Sequence, residues 1–162
     1  MSQPAPDLEQ KHAGVVVPPP LIYAGALLLG LAVDYFVQGP ATGLPWSLRL
    51  AIGTVLVLVG FAVPLVASAQ FRMANTDVRP WKPSTALVTT GIYRYTRNPM
   101  YAGLTLIFLG VALLADSVIT LALLPPLLAV IITAVIRREE HYLEITFGEE
   151  YRQYKRRVRR WI

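Results

Sequence analysis

The feature that most constrains this chain is a series of apolar runs of membrane-spanning length. They cover residues 21–37, 46–71 and 100–136 of the 162-residue sequence. About 20 apolar residues in a helix cross the roughly 30 Å hydrocarbon core of a bilayer. The last run has about 37 residues, which is too long for one ordinary crossing. We therefore divide it at Asp116-Ser117 into two spans, residues 100–115 and 117–136.

These runs predict an all-α fold: a polytopic membrane protein with four transmembrane helices, of which the last two form a tight hairpin. Pro64 lies inside the second span and Pro125-Pro126 inside the fourth, so kinks are expected at both places. The composition agrees, because 54% of the residues are hydrophobic. The sequence has no cysteine, which excludes disulfides, thiolate metal sites and a cysteine nucleophile.

Polar segments flank the spans and define the rest of the organisation. Residues 1–17 are polar and then proline-punctuated, and we expect a flexible N-terminal tail there and not a signal peptide. Residues 18–162 are expected to form a single membrane-embedded domain. Within it, residues 72–98 form an interfacial connector, and residues 137–162 form C-terminal helices with an apolar stripe at helical spacing.

The distribution of basic residues predicts the orientation in the membrane. Fourteen of the fifteen Lys and Arg residues, all except Arg49, lie in the N-terminal tail, the connector or the C-terminal segment. With four spans, these three segments share one side of the bilayer. By the positive-inside rule that side is the cytoplasm. Both termini, the connector and any site formed between them are therefore expected to be cytoplasmic.

Polar residues meet the membrane where the third span begins. Asn98 suits a helix N-cap, and Pro99 suits the first helical position. The free backbone N–H groups and the positive end of the helix dipole favour an anion there, and Arg97 can add a two-pronged contact to a carboxylate or phosphate. The alternative is that Arg94 and Arg97 only anchor the helix at the lipid headgroups.

A glutamate pair lies at the far end of the same hairpin. Glu139 and Glu140 point about 100° apart in a helix, so one is expected to face inward and accept hydrogen bonds from an ammonium or from hydroxyls. Glu140 is favoured for that position by its place on the apolar stripe. The other is expected to pair outward with Arg137 or Arg138. The alternatives are a solvated helix exit and, for the basic cluster of residues 152–160, contact with anionic lipid.

These motifs occur in a fixed order along the second half of the chain. The order is Gly91-x-Tyr93-x-x-x-Arg97-Asn98-Pro99-x-Tyr101-x-Gly103, then Glu139-Glu140-x-x-Leu143, then Phe147-Gly148-x-x-Tyr151-x-x-Tyr154. This set covers about residues 70–160. It resembles the membrane-embedded isoprenylcysteine carboxyl methyltransferases and their phospholipid methyltransferase relatives.

The resemblance implies S-adenosyl-L-methionine as the methyl donor and S-adenosyl-L-homocysteine as the product. It implies a cytoplasmic cofactor pocket between the connector, the last two helices and the C-terminal segment, with a lipophilic acceptor entering from the bilayer. It also implies catalytic roles for Arg97, Glu140 and Tyr101. The implied cofactor-binding residues are Tyr93, Arg97, Asn98, Pro99, Tyr101, Glu139, Glu140, Tyr151 and Tyr154.

The resemblance leaves the acceptor open. A carboxylate of the isoprenylcysteine type is the first interpretation, and a phospholipid amine or a small thiol is the alternative. Asn98 stands where isoprenylcysteine enzymes usually carry histidine, and the chain lacks the Gly-x-Gly typical of phosphatidylethanolamine methyltransferases.

Readings from other functional classes are weaker. A non-enzymatic four-helix scaffold that binds anionic lipid explains the arginines but not the glutamate pair. A transporter is disfavoured because Asp34 and Asp116 lie near span ends. The two histidines have no ligand set nearby, so we expect no metal site. Basic residues beside apolar spans indicate a bilayer and not nucleic acid.

Overall fold

The computed structural model describes residue 14, residues 17–74 and residues 85–161. Within them every regular element is helical, which confirms the all-α prediction for that part of the chain. The elements are α1 (Pro19–Val37), α2 (Trp46–Met73), a 3₁₀ helix (Gly91–Arg94), α3 (Pro99–Leu114), α4 (Val118–Ala122), α5 (Leu124–Val130), a π-helical stretch (Ile131–Ile136) and α6 (Arg137–Arg157). Most of the predicted N-terminal tail and the part of the connector around Trp81 lie outside the described residues.

Three helical stretches are long and apolar enough to cross a membrane. They are α1, α2 and the stretch Val118–Arg157, whereas α3 is apolar but has only 16 residues. The predicted bounds of the first three spans agree with α1, α2 and α3 to within two residues. The exposed faces of α1 and α2 carry large apolar side chains, such as Leu28, Leu58 and Leu65, as lipid-facing helices do.

Glycines on α2 and α3 allow the two backbones to approach each other closely. A Cβ atom on Gly60 would lie 2.8 Å from the carbonyl oxygen of Gly103, and one on Gly53 would lie 2.9 Å from that of Gly110. Because lipid tails give two helices no hydrophobic reason to associate, close packing of small residues has to supply the attraction. α2 continues through Pro64, whose ring packs against Gly103.

The predicted fourth span is not one regular helix. α4 ends at Ala122, α5 begins at Leu124, and a π-helical stretch follows. Pro125 and Pro126 cause the first break, because neither can donate the backbone hydrogen bond that would continue α4. They are accommodated in the first turn of α5, where those donors are not needed.

The turn between α3 and α4 is tied to the turn between α1 and α2. Asp116 adopts a left-handed conformation with φ 58° and accepts hydrogen bonds from the amide and the hydroxyl of Thr42, at 2.9 Å and 2.5 Å. Its other oxygen lies 3.0 Å from the Arg49 guanidinium. These contacts lower the pKa of Asp116, the Thr42 hydroxyl most strongly. Arg49, the one basic residue outside the three basic segments, therefore stabilises this pair of turns.

The close contact between α2 and α3 gives a testable prediction. Gly60→Ala should destabilise the protein by about 1–3 kcal/mol, the usual cost of overpacking, because its Cβ would meet backbone atoms of α3. Gly25→Ala is the matched control, since nothing lies within 4 Å of that position on α1 and alanine is the better helix former. Thermal unfolding in detergent should show a lower midpoint for the first variant only. Equal midpoints would contradict this account of the packing.

Candidate functional site

The Asn98-Pro99 step begins α3 as the sequence predicts. Asn98 occupies the N-cap position and Pro99 is the first helical residue. The side chain of Asn98, however, makes no capping hydrogen bond. Its Nδ2 atom donates instead to the backbone carbonyl of Arg160, 3.1 Å away. Asn98 therefore occupies the predicted N-cap position, but its side-chain oxygen caps no backbone N–H, while its Nδ2 donor holds a carbonyl from residue 160.

The end of the chain returns to this step. Residues 158–161 follow α6, and we call them the C-terminal strap. The backbone N–H of Arg97 donates to the carbonyl of Arg159 at 3.0 Å, and the Thr96 hydroxyl donates to the carbonyl of Arg160 at 3.0 Å. Trp161 packs against the apolar cluster that contains Tyr101. Nothing in the sequence signals this return, because it depends on backbone carbonyls that every residue carries.

Glu140 is the centre of a partly buried ion cluster. Its carboxylate lies 3.3 Å from Nη2 of Arg97, and it accepts two hydrogen bonds from Arg160, from Nε at 3.1 Å and from Nη2 at 2.7 Å. The side chains of Glu140 and Arg97 are 8% and 9% exposed. A carboxylate buried to this extent needs such partners, because burial of an unpaired charge is costly. The buried position of the Glu140 side chain agrees with the expectation that this glutamate faces inward.

Arg97 has more donors than partners. Its Nε and Nη1 atoms are buried and have no hydrogen-bond partner among the described residues. Leaving a buried donor unsatisfied usually costs about 1–3 kcal/mol, so such atoms call for an explanation. Each of these unpaired guanidinium donors lies near the start of a helix and could donate a hydrogen bond to an incoming carboxylate or phosphate.

Glu139 has a separate partner. The hydroxyl of Tyr101 donates to its Oε1 atom at 2.5 Å. The expectation that this glutamate pairs outward with Arg137 or Arg138 is therefore wrong. Glu139 follows the last apolar run, and burial raises the pKa of its carboxyl to about 7, with the Tyr101 hydrogen bond opposing the shift and the Glu140 charge adding to it. Such a carboxyl can take up or release a proton near neutral pH.

Three tyrosines from distant parts of the sequence line the region beside Arg97. Tyr93, Tyr151 and Tyr154 are all buried and belong to one apolar cluster. The hydroxyl of Tyr154 donates to the carbonyl of Tyr93 at 2.8 Å, which links α6 to the connector. Burial raises the pKa of Tyr151, and the neighbouring Arg97 charge partly offsets the effect. These phenols therefore stay neutral at physiological pH.

The structure brings most of the predicted site residues into one region and adds Arg160 to them. Arg94 is exposed and takes no part in the ion cluster.

Gly148, in a non-helical conformation with φ 54°, bends α6 so that its second half returns toward the connector. Among the described residues, no group of three or more His, Cys, Asp or Glu side chains is placed to hold a metal ion.

These observations define a helical membrane protein with a charged site at one end of its apolar helices. The family description "Phospholipid methyltransferase" matches residues 48–150, which include nearly all of α2, the whole of α3 and both glutamates. The chain belongs to the phospholipid methyltransferase family. This confirms the resemblance in the sequence, and together with the three apolar stretches it makes the chain an integral membrane protein.

Individual relatives match shorter parts of the chain. The protein-S-isoprenylcysteine O-methyltransferase of Schizosaccharomyces pombe is 38% identical over 72 residues, which are 44% of this chain and 30% of that protein. The nickel-cobalt-cadmium resistance protein NccN of Alcaligenes xylosoxydans xylosoxydans is 37% identical over 77 residues, 48% of this chain and 36% of that protein. An uncharacterized protein of Haemophilus influenzae is 48% identical over 64 residues. These residues are 39% of this chain and the entire length of the Haemophilus protein.

The matches to the yeast and Alcaligenes proteins thus span about a third of each relative's length. No solved structure shows a significant match to the chain.

The raised pKa of Glu139 predicts a pH dependence of stability. The folded protein holds this proton up to about pH 7, whereas the ordinary value is 4.5. Between these two values the folded state binds more protons than the unfolded chain, so the free energy of unfolding should fall as the pH rises. Glu139→Gln should remove that component of the fall.

Thermal unfolding midpoints measured across this pH range would test the prediction. Glu144→Gln, which alters a surface pair with Lys155, is the control and should keep the wild-type slope. An unchanged slope in Glu139→Gln would show that another group titrates.

Proposed function

We propose that this protein is an S-adenosylmethionine-dependent methyltransferase that acts on a lipid-like or membrane-associated acceptor. The observation that carries the proposal is Arg97, a buried guanidinium next to Glu140 at the start of a membrane helix, with two nitrogens that have no partner in the described part of the chain. Membership of a methyltransferase family supports it. The fission yeast relative is named for methyl transfer to isoprenylcysteine, which makes that acceptor class the first candidate.

The side chains in the site fit the cofactor's amino acid end. A carboxylate would be held by Nε or Nη1 of Arg97, which point to different sides of the guanidinium, and by the free N–H groups of the first turn of α3. Glu140 would accept hydrogen bonds from the ammonium of the cofactor. Glu139 would complete the polar contacts by accepting hydrogen bonds from the ribose hydroxyls of the cofactor. Tyr93, Tyr151 and Tyr154 would form the wall, together with Asn98-Pro99.

The cofactor supplies a methyl group bound to a positively charged sulfur, so no covalent intermediate with the protein is needed. The residues of the chain have to align the acceptor with that methyl group and exclude water. For a carboxylate acceptor no proton has to be removed, and a nearby cationic group suffices to orient it. The family resemblance is the basis for assigning Arg97, Glu140 and Tyr101 to the reacting region.

A phospholipid amine is the second candidate, and one observation favours it. An ammonium must lose a proton before its nitrogen can attack. Glu139, which has a pKa of about 7 and a hydrogen bond to Tyr101, is suited to accept that proton. A small thiol is the third candidate, and as a thiolate it would need no strong base. Comparing an isoprenylcysteine analogue with phosphatidylethanolamine as acceptors would distinguish the first two classes.

Binding of S-adenosylhomocysteine tests the cofactor assignment. Arg97→Lys keeps the positive charge beside Glu140 but loses the planar fork. We expect affinity to fall by roughly ten- to hundredfold, the equivalent of one lost hydrogen bond to a charged group. Arg94→Lys, at an exposed position, should bind like the wild type. Isothermal titration of detergent-purified protein, beside a thermal unfolding scan, provides the measurement.

The possible results of this titration distinguish an error in the placement of the cofactor's carboxylate from an error in the proposed activity. Unchanged affinity in a stable Arg97→Lys variant would overturn the placement of the carboxylate. No binding by the unaltered protein would overturn the methyltransferase proposal and favour a scaffold that binds anionic lipid.

We further propose four transmembrane helices, with α3 as the short third one and the stretch from α4 to the π-helical residues as the fourth. The basic segments and the site would then face the cytoplasm, and the Asp116 turn would face the opposite side. The distribution of basic residues supports this topology, because the turn between α1 and α2 and the turn between α3 and α4 contain no Lys or Arg, and Arg49 at the start of α2 is the one basic residue near them. The contact between Asp116 and Thr42 is consistent with it, because it holds both turns at the same end.

Cysteine labelling tests this topology, since the chain has no cysteine of its own. Ala115→Cys lies beside the Asp116 turn and Gln153→Cys lies on α6, and both positions are exposed. In sealed inside-out vesicles, a membrane-impermeant maleimide should label only the second. Labelling of both from one face would rule out the four-span arrangement.

A further inference from the structure

The Arg160 side chain has no role in the proposed chemistry, although it makes the best-defined contact in the ion cluster. Its guanidinium holds both oxygens of Glu140, at 3.1 Å and 2.7 Å. Arg97, the other partner, approaches only one oxygen, at 3.3 Å. The carboxylate that would receive a ligand's cationic group therefore already binds a cation from the protein itself.

Arg160 is the member of this cluster best able to leave. Its side chain is 32% exposed, against 8% for Glu140 and 9% for Arg97. The hydrogen bonds between the C-terminal strap and residues 96–98 do not involve this guanidinium, because they use the backbone carbonyls of Arg159 and Arg160. The guanidinium can thus swing out toward water without requiring the strap to detach.

We propose that Arg160 is an internal competitor for Glu140, which the ammonium of an α-amino acid ligand displaces when it binds. The inference rests on the proposed function, in which the ligand is S-adenosylmethionine. A guanidinium and an ammonium are both cationic donors for the same carboxylate oxygens, so they cannot both make these contacts. Arg97 remains buried beside Glu140 throughout, with its free nitrogens available to the ligand's carboxylate.

This arrangement protects the site when no ligand is bound. A buried carboxylate with too few partners would be costly, and Arg160 adds a second guanidinium to that of Arg97. The same contact lowers the affinity for a cationic ligand, because part of the binding free energy is used to displace it. Removing Arg160 should therefore tighten binding, which is the opposite of the effect expected for a residue that binds the ligand directly.

The test compares two probes in two variants. Arg160→Gln removes the competitor, and Arg159→Gln removes an equal charge from an exposed neighbour while leaving both backbone carbonyls in place. S-adenosylhomocysteine carries the ammonium, and 5′-methylthioadenosine lacks the amino acid end. Isothermal titration should show Arg160→Gln binding S-adenosylhomocysteine roughly three- to tenfold more tightly than the wild type. Its affinity for 5′-methylthioadenosine, and both affinities of Arg159→Gln, should stay unchanged.

Each other outcome overturns the inference in a recognisable way. Equal tightening for both probes would mean that Arg160 obstructs the site sterically. Unchanged or weaker binding of S-adenosylhomocysteine by Arg160→Gln would mean that Arg160 is neutral or part of the binding site. The proposed function survives in these three cases. It fails only if the unaltered protein does not bind S-adenosylhomocysteine.

A thermal unfolding scan shows whether each variant is folded. Glu140 still has Arg97 beside it in Arg160→Gln, so we expect the fold to survive. If it does not, Arg160→Lys replaces it in the comparison, because lysine keeps the charge but cannot hold both oxygens. That variant should show a smaller tightening for S-adenosylhomocysteine alone, and unchanged affinity would overturn the inference.

Discussion

The carboxylate of Glu140 joins three parts of the chain that are far apart in sequence. It belongs to α6, while its two partners come from the connector and from the C-terminal strap. Because burial of a charge is tolerated only where counter-charges and hydrogen bonds accompany it, these three parts have to meet. The position of the strap across the Asn98-Pro99 step follows from this requirement, and so does the shape of the site.

The glycine contacts between α2 and α3 make this meeting possible. They fix the start of α3 relative to the end of α2, where Ala67 belongs to the apolar cluster that contains Tyr93 and Tyr151. α3 is short, with 16 residues, so its first turn lies close to the polar end of the bundle. The bend at Gly148 then returns the second half of α6 to the same place. Helix packing inside the apolar region thus determines where the polar side chains converge.

The two adjacent glutamates are chemically different because their partners differ. Glu140 is ion-paired with two guanidinium groups, which suits it to hold a cationic group. Glu139 has a neutral phenol as its partner and a pKa near neutrality, which suits it to exchange a proton. One buried surface therefore offers both electrostatic binding and acid–base chemistry, and this combination is compatible with more than one class of methyl acceptor.

The sequence by itself determined the membrane class and the first three helices to within two residues, and it predicted the residues that we propose for the site. Apolar run length, the N-cap and proline positions, and the order of the motifs are local properties, so they can be read without a fold. The family follows from the same pattern.

Only the tertiary structure decided how those residues are paired. The amide of Asn98 binds Arg160 and does not cap its helix, Glu139 binds Tyr101 and not an outward arginine, and the last apolar run is divided into α4, α5 and a π-helical stretch. Each of these outcomes depends on a group brought from elsewhere in the chain or on the balance between proline geometry and helix packing. Spacing along a single helix contains no information about the C-terminal strap, whose backbone carbonyls complete the site.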